Sequence, residues 1–265
     1  HGRAPAVATG AKLANPELDI WLVTGDGDGL SIGGNHLMHV LRRNVNMQIM
    51  LFNNEIYGLT KGQYSPTSRE GTRSPTSPIG SVDHPANPCA FALGSGARFV
   101  GRGIDVSKNL PDVLKAAHAH QGAAFVEIFQ NCIVYNKDVF DAFAAPKGAE
   151  GQQLWLADGE PMLFDKGEKG LAFDAENLHF TVVDVVDGDR GAVRLAQGGD
   201  LDDDGRRLGL GARAARSPGS LRCRGGRLFR TRRDPCRLPS AGRGDLGLAR
   251  APRGGLRRLH GLAGR

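Results

Sequence analysis

Two segments of this chain have residue types and spacing suited to holding a cation against an anionic ligand. They are Thr24-Gly25-Asp26-Gly27-Asp28-Gly29 and Phe52-Asn53-Asn54-Glu55-Ile56. In the first, glycines on both sides of Asp26 let backbone amides come close to a diphosphate, and the Asp26 carboxylate offers a hard oxygen to Mg2+. Asn54 in the second segment can supply another oxygen. A Gly-Asp-Gly by itself is more often an ordinary strand-to-helix turn. The pairing with Asn53-Asn54 and the following Tyr57-Gly58-Leu59-Thr60-Lys61-Gly62-Gln63 favours the chemical reading.

The elements that must bring the two segments together are legible around them. Leu18 to Val23 is apolar enough for a buried strand, placed over Ile20 to Thr24. Positions 28 to 52 then hold one helix, Gly33 to Arg43, and one strand, Met47 to Asn53. A parallel crossover of this kind returns Asn54 beside Asp26 at the carboxyl ends of neighbouring strands. Further strands are expected at Arg98 to Arg102 and Ala124 to Phe129, with helices at Ala4 to Leu13, Pro88 to Leu93 and Leu110 to His120. Ser107 and Asp112 act as start signals for the last helix. The alternation predicts an α/β fold, a parallel sheet flanked by helices on both faces. Asn54 to Pro85, rich in Gly, Pro, Ser and Thr, is expected to be an active-site loop at the same sheet edge as Asp26. Residues 145 to 179 are more polar and less periodic, and Thr181 to Val186 reads as one more short strand.

Other candidates leave alternatives open. His36 and His39 lie three apart on the expected helix, as a metal pair or as ordinary packing and solvated groups. Lys61 and Arg69 suit an acidic substrate or a phosphate, or are solvated loop charges. The cysteines at 89, 132, 223 and 236 show no Cys-x-x-Cys spacing. Cys89 reads as core, and the two in the tail as incidental.

Composition separates the chain into two regions. Residues 201–265 carry 17 Arg, no Lys and 5 Asp, a balance of +12, within a chain whose net charge is +6. The remaining body is therefore acidic, at −6. The tail lacks Ile, Val, Met, Tyr and Trp, so it has little from which to build a sheet core. It reads either as the product of a GC-rich gene read out of frame or as a native disordered Arg/Gly-rich segment. Polyanion binding would be its electrostatic function, although no aromatic interleaving points to specific nucleic-acid recognition. No stretch approaches the ~18 apolar residues of a membrane span, and no signal peptide is recognisable, so the expected location is cytoplasmic.

Between His1 and about residue 195 the chain resembles the beta subunit of 2-oxoglutarate:ferredoxin oxidoreductase, in the 2-oxoacid:ferredoxin oxidoreductase family. The resemblance rests on His1-Gly2-Arg3-Ala4, Gly25-Asp26-Gly27-Asp28, Ile32-Gly33-Gly34-Asn35-His36, Leu41-Arg42-Arg43-Asn44, Ile56 through Ser68, and Glu127-Ile128-Phe129-Gln130-Asn131-Cys132. It implies a thiamine diphosphate-binding fold in which Asp26, Asn54 and the Ile56 carbonyl hold Mg2+ against the cofactor's two phosphates. It further implies that Gly25, Gly27 and Asp28 shape the diphosphate turn, and that Thr60, Gly62 and Gln63 close around the same end. His1-Gly2-Arg3 would approach the cofactor. Cys132 resembles the downstream ligand of a [4Fe–4S] cluster whose three upstream cysteines do not occur here.

The implied activity is oxidative decarboxylation of 2-oxoglutarate or a related 2-oxoacid to an acyl-CoA with reduction of ferredoxin. The implied partners are an alpha subunit, ferredoxin and coenzyme A, with no membrane and no specific nucleic acid. No residue here is named as general base. Because the chain opens inside a motif of that family, the expectation is an internal fragment, inactive by itself. The expected organisation is a thiamine diphosphate-binding domain over 1–145, a C-terminal extension over 146–195 and the basic tail over 196–265. Two other functions stay open: a non-oxidative thiamine diphosphate-dependent decarboxylase or carboligase, and a non-catalytic fragment with a polyanion-binding tail.

Overall fold

Runs of β-branched and aromatic residues flanked by glycine and asparagine build the central sheet of the computed structural model, which describes residues 1–144, 150–156, 161–174, 179–185 and 214–215. Its strands are β1 (Trp21–Gly25), β2 (Met47–Asn53), β3 (Phe99–Ile104) and β4 (Ala123–Phe129). They pair in the order β1-β2-β4-β3, and every pairing is parallel. The register sets Gly25 opposite Phe52 and Asn53 opposite Phe129, so β1, β2 and β4 end together and their carboxyl ends form one rim.

Helices cover both faces, as a parallel sheet requires. On one face, α1 (Ala4–Ala14), α3 (Gly34–Arg43) and α4 (Pro88–Gly94) pack through Ala8, Leu37, Val40, Leu41 and Ala92 onto Leu22, Ile49, Leu51 and Phe125. On the other, α5 (Leu110–Ala119) sets Val113 and Ala117 against Phe99, Val126 and Ile128. Burial of each Val, Leu, Ile and Phe side chain among these contributes roughly 1.5–3 kcal/mol. The Leu37, Val40, Leu41 spacing gives α3 one apolar stripe. That helix stops at Asn44, whose left-handed backbone (φ 54°) turns its amide back to the Leu41 carbonyl at 3.0 Å. Asn87 caps α4 by accepting from the Ala90 amide at 3.0 Å, with Pro88 at the first helical position.

Most expected elements fall within one or two residues of their places. Three differences have physical reasons. The Gly-Asp-Gly segment continues into a five-residue helix, α2 (Asp26–Leu30), because Ser31 and Gly33 return hydrogen bonds to Gly27 and Asp28. The start of α5 is set at Asn109, with no side-chain cap; Ser107 instead accepts from the Asn109 amide at 3.3 Å. The polar stretch after 145 contains a strand that its composition concealed.

Beyond the four-residue helix α6 (Asp141–Ala144) and the short β5 (Gln153–Leu154), β6 (Leu163–Phe164), β7 (Lys169–Asp174) and β8 (His179–Asp184) form an antiparallel sheet. Leu154, Met162 and Leu171 are buried together there. β5 pairs antiparallel with β9 (Ala214–Ala215). The expected strand at Thr181 to Val186 is β8, which starts two residues earlier and ends at Asp184. The basic tail, apart from β9, lies outside the described residues, and so does the question of its order. No helix among the described residues is long and apolar enough to cross a membrane.

Candidate functional site

Asp26 sits where β1 gives way to α2, and its side chain is 1% exposed. Its Oδ2 accepts hydrogen bonds from the Ser65 and Thr67 hydroxyls, each at 2.6 Å. The backbone amides of Gly27 and Asn54 also donate to this carboxylate. Burial pushes the Asp26 pKa up, against the pull of those hydroxyls and amides. Among the described residues no cationic side chain forms an ion pair with it. A buried carboxylate surrounded by neutral donors is a group that a hard cation would satisfy.

The structure brings Asn54 to Asp26, as the crossover from β1 to β2 predicts, and the contact runs through the Asn54 amide. Asn54 is half-buried, and its Oδ1 accepts from the Ile56 amide at 3.3 Å, folding residues 54–56 into a tight turn beside the carboxylate. Ile56 is buried. Glu55 has a left-handed backbone (φ 55°), and its half-buried carboxyl meets Arg69 at 3.2 Å. Burial pushes the Glu55 carboxyl up to about 7, the Arg69 charge opposing the shift. Arg69 also donates to the Val139 carbonyl at 2.5 Å, so this loop cation is tied to the protein. Lys61 is exposed.

Gly27 is buried under Tyr57. A Cβ at Gly27 would lie 2.4 Å from the ring's Cε1, and the Tyr57 hydroxyl donates to the Gly27 carbonyl at 2.7 Å. This close approach explains why the position holds glycine. Gly25 is half-buried at the end of β1. Asp28 faces away from Asp26: its Oδ1 accepts from the Gly2 amide at 2.7 Å and lies 3.7 Å from His1, while its Oδ2 accepts from Thr24 at 3.1 Å. It anchors the first residues of the chain to the Gly-Asp-Gly turn. Tyr57 and Gln63 close a small hairpin, the Tyr57 amide donating to the Gln63 carbonyl at 2.8 Å. Gly62, with φ 93°, makes its bend beside Tyr135, and the Thr60 hydroxyl bonds the Gln63 side chain. Thr60, Gly62 and Gln63 therefore share one tip of the 54–85 loop, joined to the Asp26 region through Tyr57.

His36 and His39 part company. His36 meets the Arg3 guanidinium at 3.0 Å, whereas His39 is half-buried on α3 with no hydrogen-bond partner for Nδ1. Cys132 is half-buried, with its Sγ facing Gly58 at the hairpin. No group of three metal-ligating His, Cys, Asp or Glu side chains occurs among the described residues. The described residues do not by themselves make a cluster site around Cys132. Cys89 packs against the core as expected, and its Sγ also donates to Glu127 at 3.2 Å. Burial pushes its thiol up.

Sequence reasoning missed Ser65, Thr67, Tyr57, Asn53 and Glu127. Asn53 and Glu127 are both buried, and Asn53 Nδ2 donates to Glu127 Oε1 at 2.8 Å. The signal for Glu127 was a carboxylate inside the apolar run Ala-Ala-Phe-Val-Glu-Ile-Phe of β4. For Ser65 and Thr67 it was a pair of hydroxyls two apart around Pro66, indistinguishable by composition from their Ser- and Thr-rich neighbours.

Residues 1–128 match the family described as thiamine pyrophosphate enzyme, C-terminal TPP binding domain. Over 165 residues, 62% of this chain and 44% of the relative, the sequence is 58% identical to the 2-oxoglutarate oxidoreductase subunit KorB of Mycobacterium tuberculosis. It is 43% identical over 143 residues to the 2-oxoacid:ferredoxin oxidoreductase 1 subunit beta of Aeropyrum pernix, covering 54% of this chain and 45% of that protein. A solved structure of 2-oxoglutarate:ferredoxin oxidoreductase from Magnetococcus marinus, with 2-oxoglutarate, coenzyme A and succinyl-CoA bound, superposes with a TM-score of 0.52 at 45% identity. The superposition covers 54% of this chain and 51% of that one. The chain spans about half the length of the relatives it matches.

Proposed function

We propose that this chain, a homologue of the beta subunits of 2-oxoacid:ferredoxin oxidoreductases, holds thiamine diphosphate through Mg2+ at the rim of its parallel sheet. Asp26 and Asn54 would supply side-chain oxygens and Ile56 its carbonyl. Gly25, Gly27 and Asp28 would shape the turn that receives the diphosphate, with Thr60, Gly62 and Gln63 closing the same end. The observation that carries this reading is the buried Asp26 carboxylate, touched by the Asn54 amide and paired with no cation among the described residues. Mg2+ fits the donor set because all three candidate ligands are oxygens.

When bound, thiamine diphosphate supplies an electron sink for decarboxylation of a 2-oxoacid. The chain's own contribution is placement: the Ser65 and Thr67 hydroxyls fix the Asp26 carboxylate, and the Tyr57 hydroxyl fixes the Gly27 carbonyl. The work of the assembled enzyme would be oxidative decarboxylation of 2-oxoglutarate, or a related 2-oxoacid, to an acyl-CoA with reduction of ferredoxin. That activity needs an alpha subunit, and any [4Fe–4S] centre would take Cys132 together with ligands from elsewhere in the enzyme. The ligands bound in the Magnetococcus marinus relative support this substrate class. Residues 1–145 would form the cofactor domain and 146–195 its extension. The proposal places the chain in the cytoplasm, where thiols such as Cys89 and Cys132 stay reduced.

Calorimetric titration with thiamine diphosphate, with and without Mg2+, tests the reading. Saturable binding that requires the metal and disappears in a folded Asp26→Ala variant is expected. Equal binding by that variant would remove Asp26 from the site and the proposal with it.

A further inference from the structure

β4 is buried along its whole length, and Glu127 is the one charged residue in it. Replacing a buried ion pair with apolar groups of similar size is often neutral or stabilising, so stability by itself gives little reason for a carboxylate there. Its two oxygens have different duties. Oε2 takes the Arg102 guanidinium, with Nε and one terminal nitrogen each at 2.7 Å, and the Cys89 thiol. Oε1 takes Asn53 Nδ2 at 2.8 Å.

That second bond decides which way the Asn53 amide faces. With Nδ2 committed to Glu127, Oδ1 points to the other side, where it accepts from the Glu55 amide at 3.2 Å; the Thr67 Oγ1 lies 2.9 Å away, its one hydrogen directed to the Asp26 carboxylate. Thr67 in turn lies 2.6 Å from Asp26 Oδ2. A flipped Asn53 would set its oxygen against the Glu127 carboxylate and its NH2 against the Glu55 N–H, both repulsive. A chain of hydrogen bonds thus runs from Arg102 through Glu127 and Asn53 to the Glu55 amide, and it fixes the backbone next to Asn54.

We propose that Glu127 is a positioning residue for the cation site, orienting Asn53 so that the turn at Asn54 is held in place. This rests on the reading of Asp26 and Asn54 as metal-holding groups.

The test uses the full chain with Mn2+ and thiamine diphosphate, reading bound metal from the loss of the free Mn2+ electron paramagnetic resonance signal. Thermal melts are run on every variant, and folded Asp26→Ala sets the background. Two double variants neutralise the ion pair on the same background: Arg102→Met with Glu127→Gln keeps an oxygen for Asn53, and Arg102→Met with Glu127→Met does not. The glutamine variant should bind within about threefold of wild type, and the methionine variant about tenfold or more weaker, the scale of one unpaired buried polar group.

Asn53→Ala, which leaves the ion pair intact, should show the same loss and serves if the methionine variant does not fold. Wild-type affinity in the folded methionine variant, or in Asn53→Ala, would overturn the positioning role. A wild-type chain that binds no Mn2+ above the Asp26→Ala background would overturn the site itself, and this inference with it.

Discussion

Asp26 is paired with hydroxyls and amides, and that choice has measurable consequences. Removing both hydroxyls, as Ser65→Ala with Thr67→Val, leaves Oδ2 buried with neither partner. Without metal this should cost about 1–3 kcal/mol in denaturant unfolding, and it should weaken Mg2+ binding as well. Burial raises the Asp26 pKa, so protons compete with the proposed metal; the apparent Mg2+ affinity should rise with pH across the acid range. Glu55 provides a separate pH signature. Its carboxyl is raised from 4.5 to about 7, so the folded chain binds the extra proton between those values. The stability this contributes is fully present below pH 4.5 and is lost as pH rises through about 7. The metal-free Glu55→Gln variant should lack that decline, and parallel melts of the two proteins between pH 4.5 and 8 would show it.

The elements were legible where periodicity was strong and hidden where it was weak. β2, β4, α3 and α4 lie within one residue of the spans expected for them, and the Leu37, Val40, Leu41 stripe and the Asn87 cap with Pro88 are what fix the two helices. β7 was missed because Lys169, Gly170 and Asp174 dilute its apolar residues. At the site, the Asp26 to Asn54 proximity followed from a β-α-β crossover, which local patterns can encode. The Ser65 and Thr67 caps and the Asn53 to Glu127 bond join residues 39, 41 and 74 positions apart, and no local pattern carries such distances. Packing makes two predictions at this scale. Phe125 is 0% exposed, flanked by Ile49 and Val100 in one core cluster with the α3 stripe, so Phe125→Ala should cost about 3–5 kcal/mol. Gly27→Ala must push the Tyr57 ring away and break its bond to the Gly27 carbonyl, weakening cofactor binding in a chain that still folds.

Over the whole molecule, charge and chemistry sit in different places. The proposed cofactor site lies within the first 63 residues plus the loop that covers them, in the region of net charge −6. The +12 of residues 201–265 lies far along the chain from it. Deleting 201–265 should abolish salt-dependent adhesion to polyanions, measured by retention on an anionic column, and leave Mg2+-dependent thiamine diphosphate binding intact. Because the chain spans about half the length of its relatives, binding and turnover are separate questions. The proposed binding rests on the described residues, whereas the proposed turnover would need an assembled enzyme.

The most direct measurement is a crystal structure of the chain grown with thiamine diphosphate and Mn2+, with anomalous scattering used to locate the metal. One strong peak is expected within coordination distance of the Asp26 and Asn54 side-chain oxygens and the Ile56 carbonyl. A peak bound elsewhere, or cofactor seated without contact to Asp26, would contradict the proposed site.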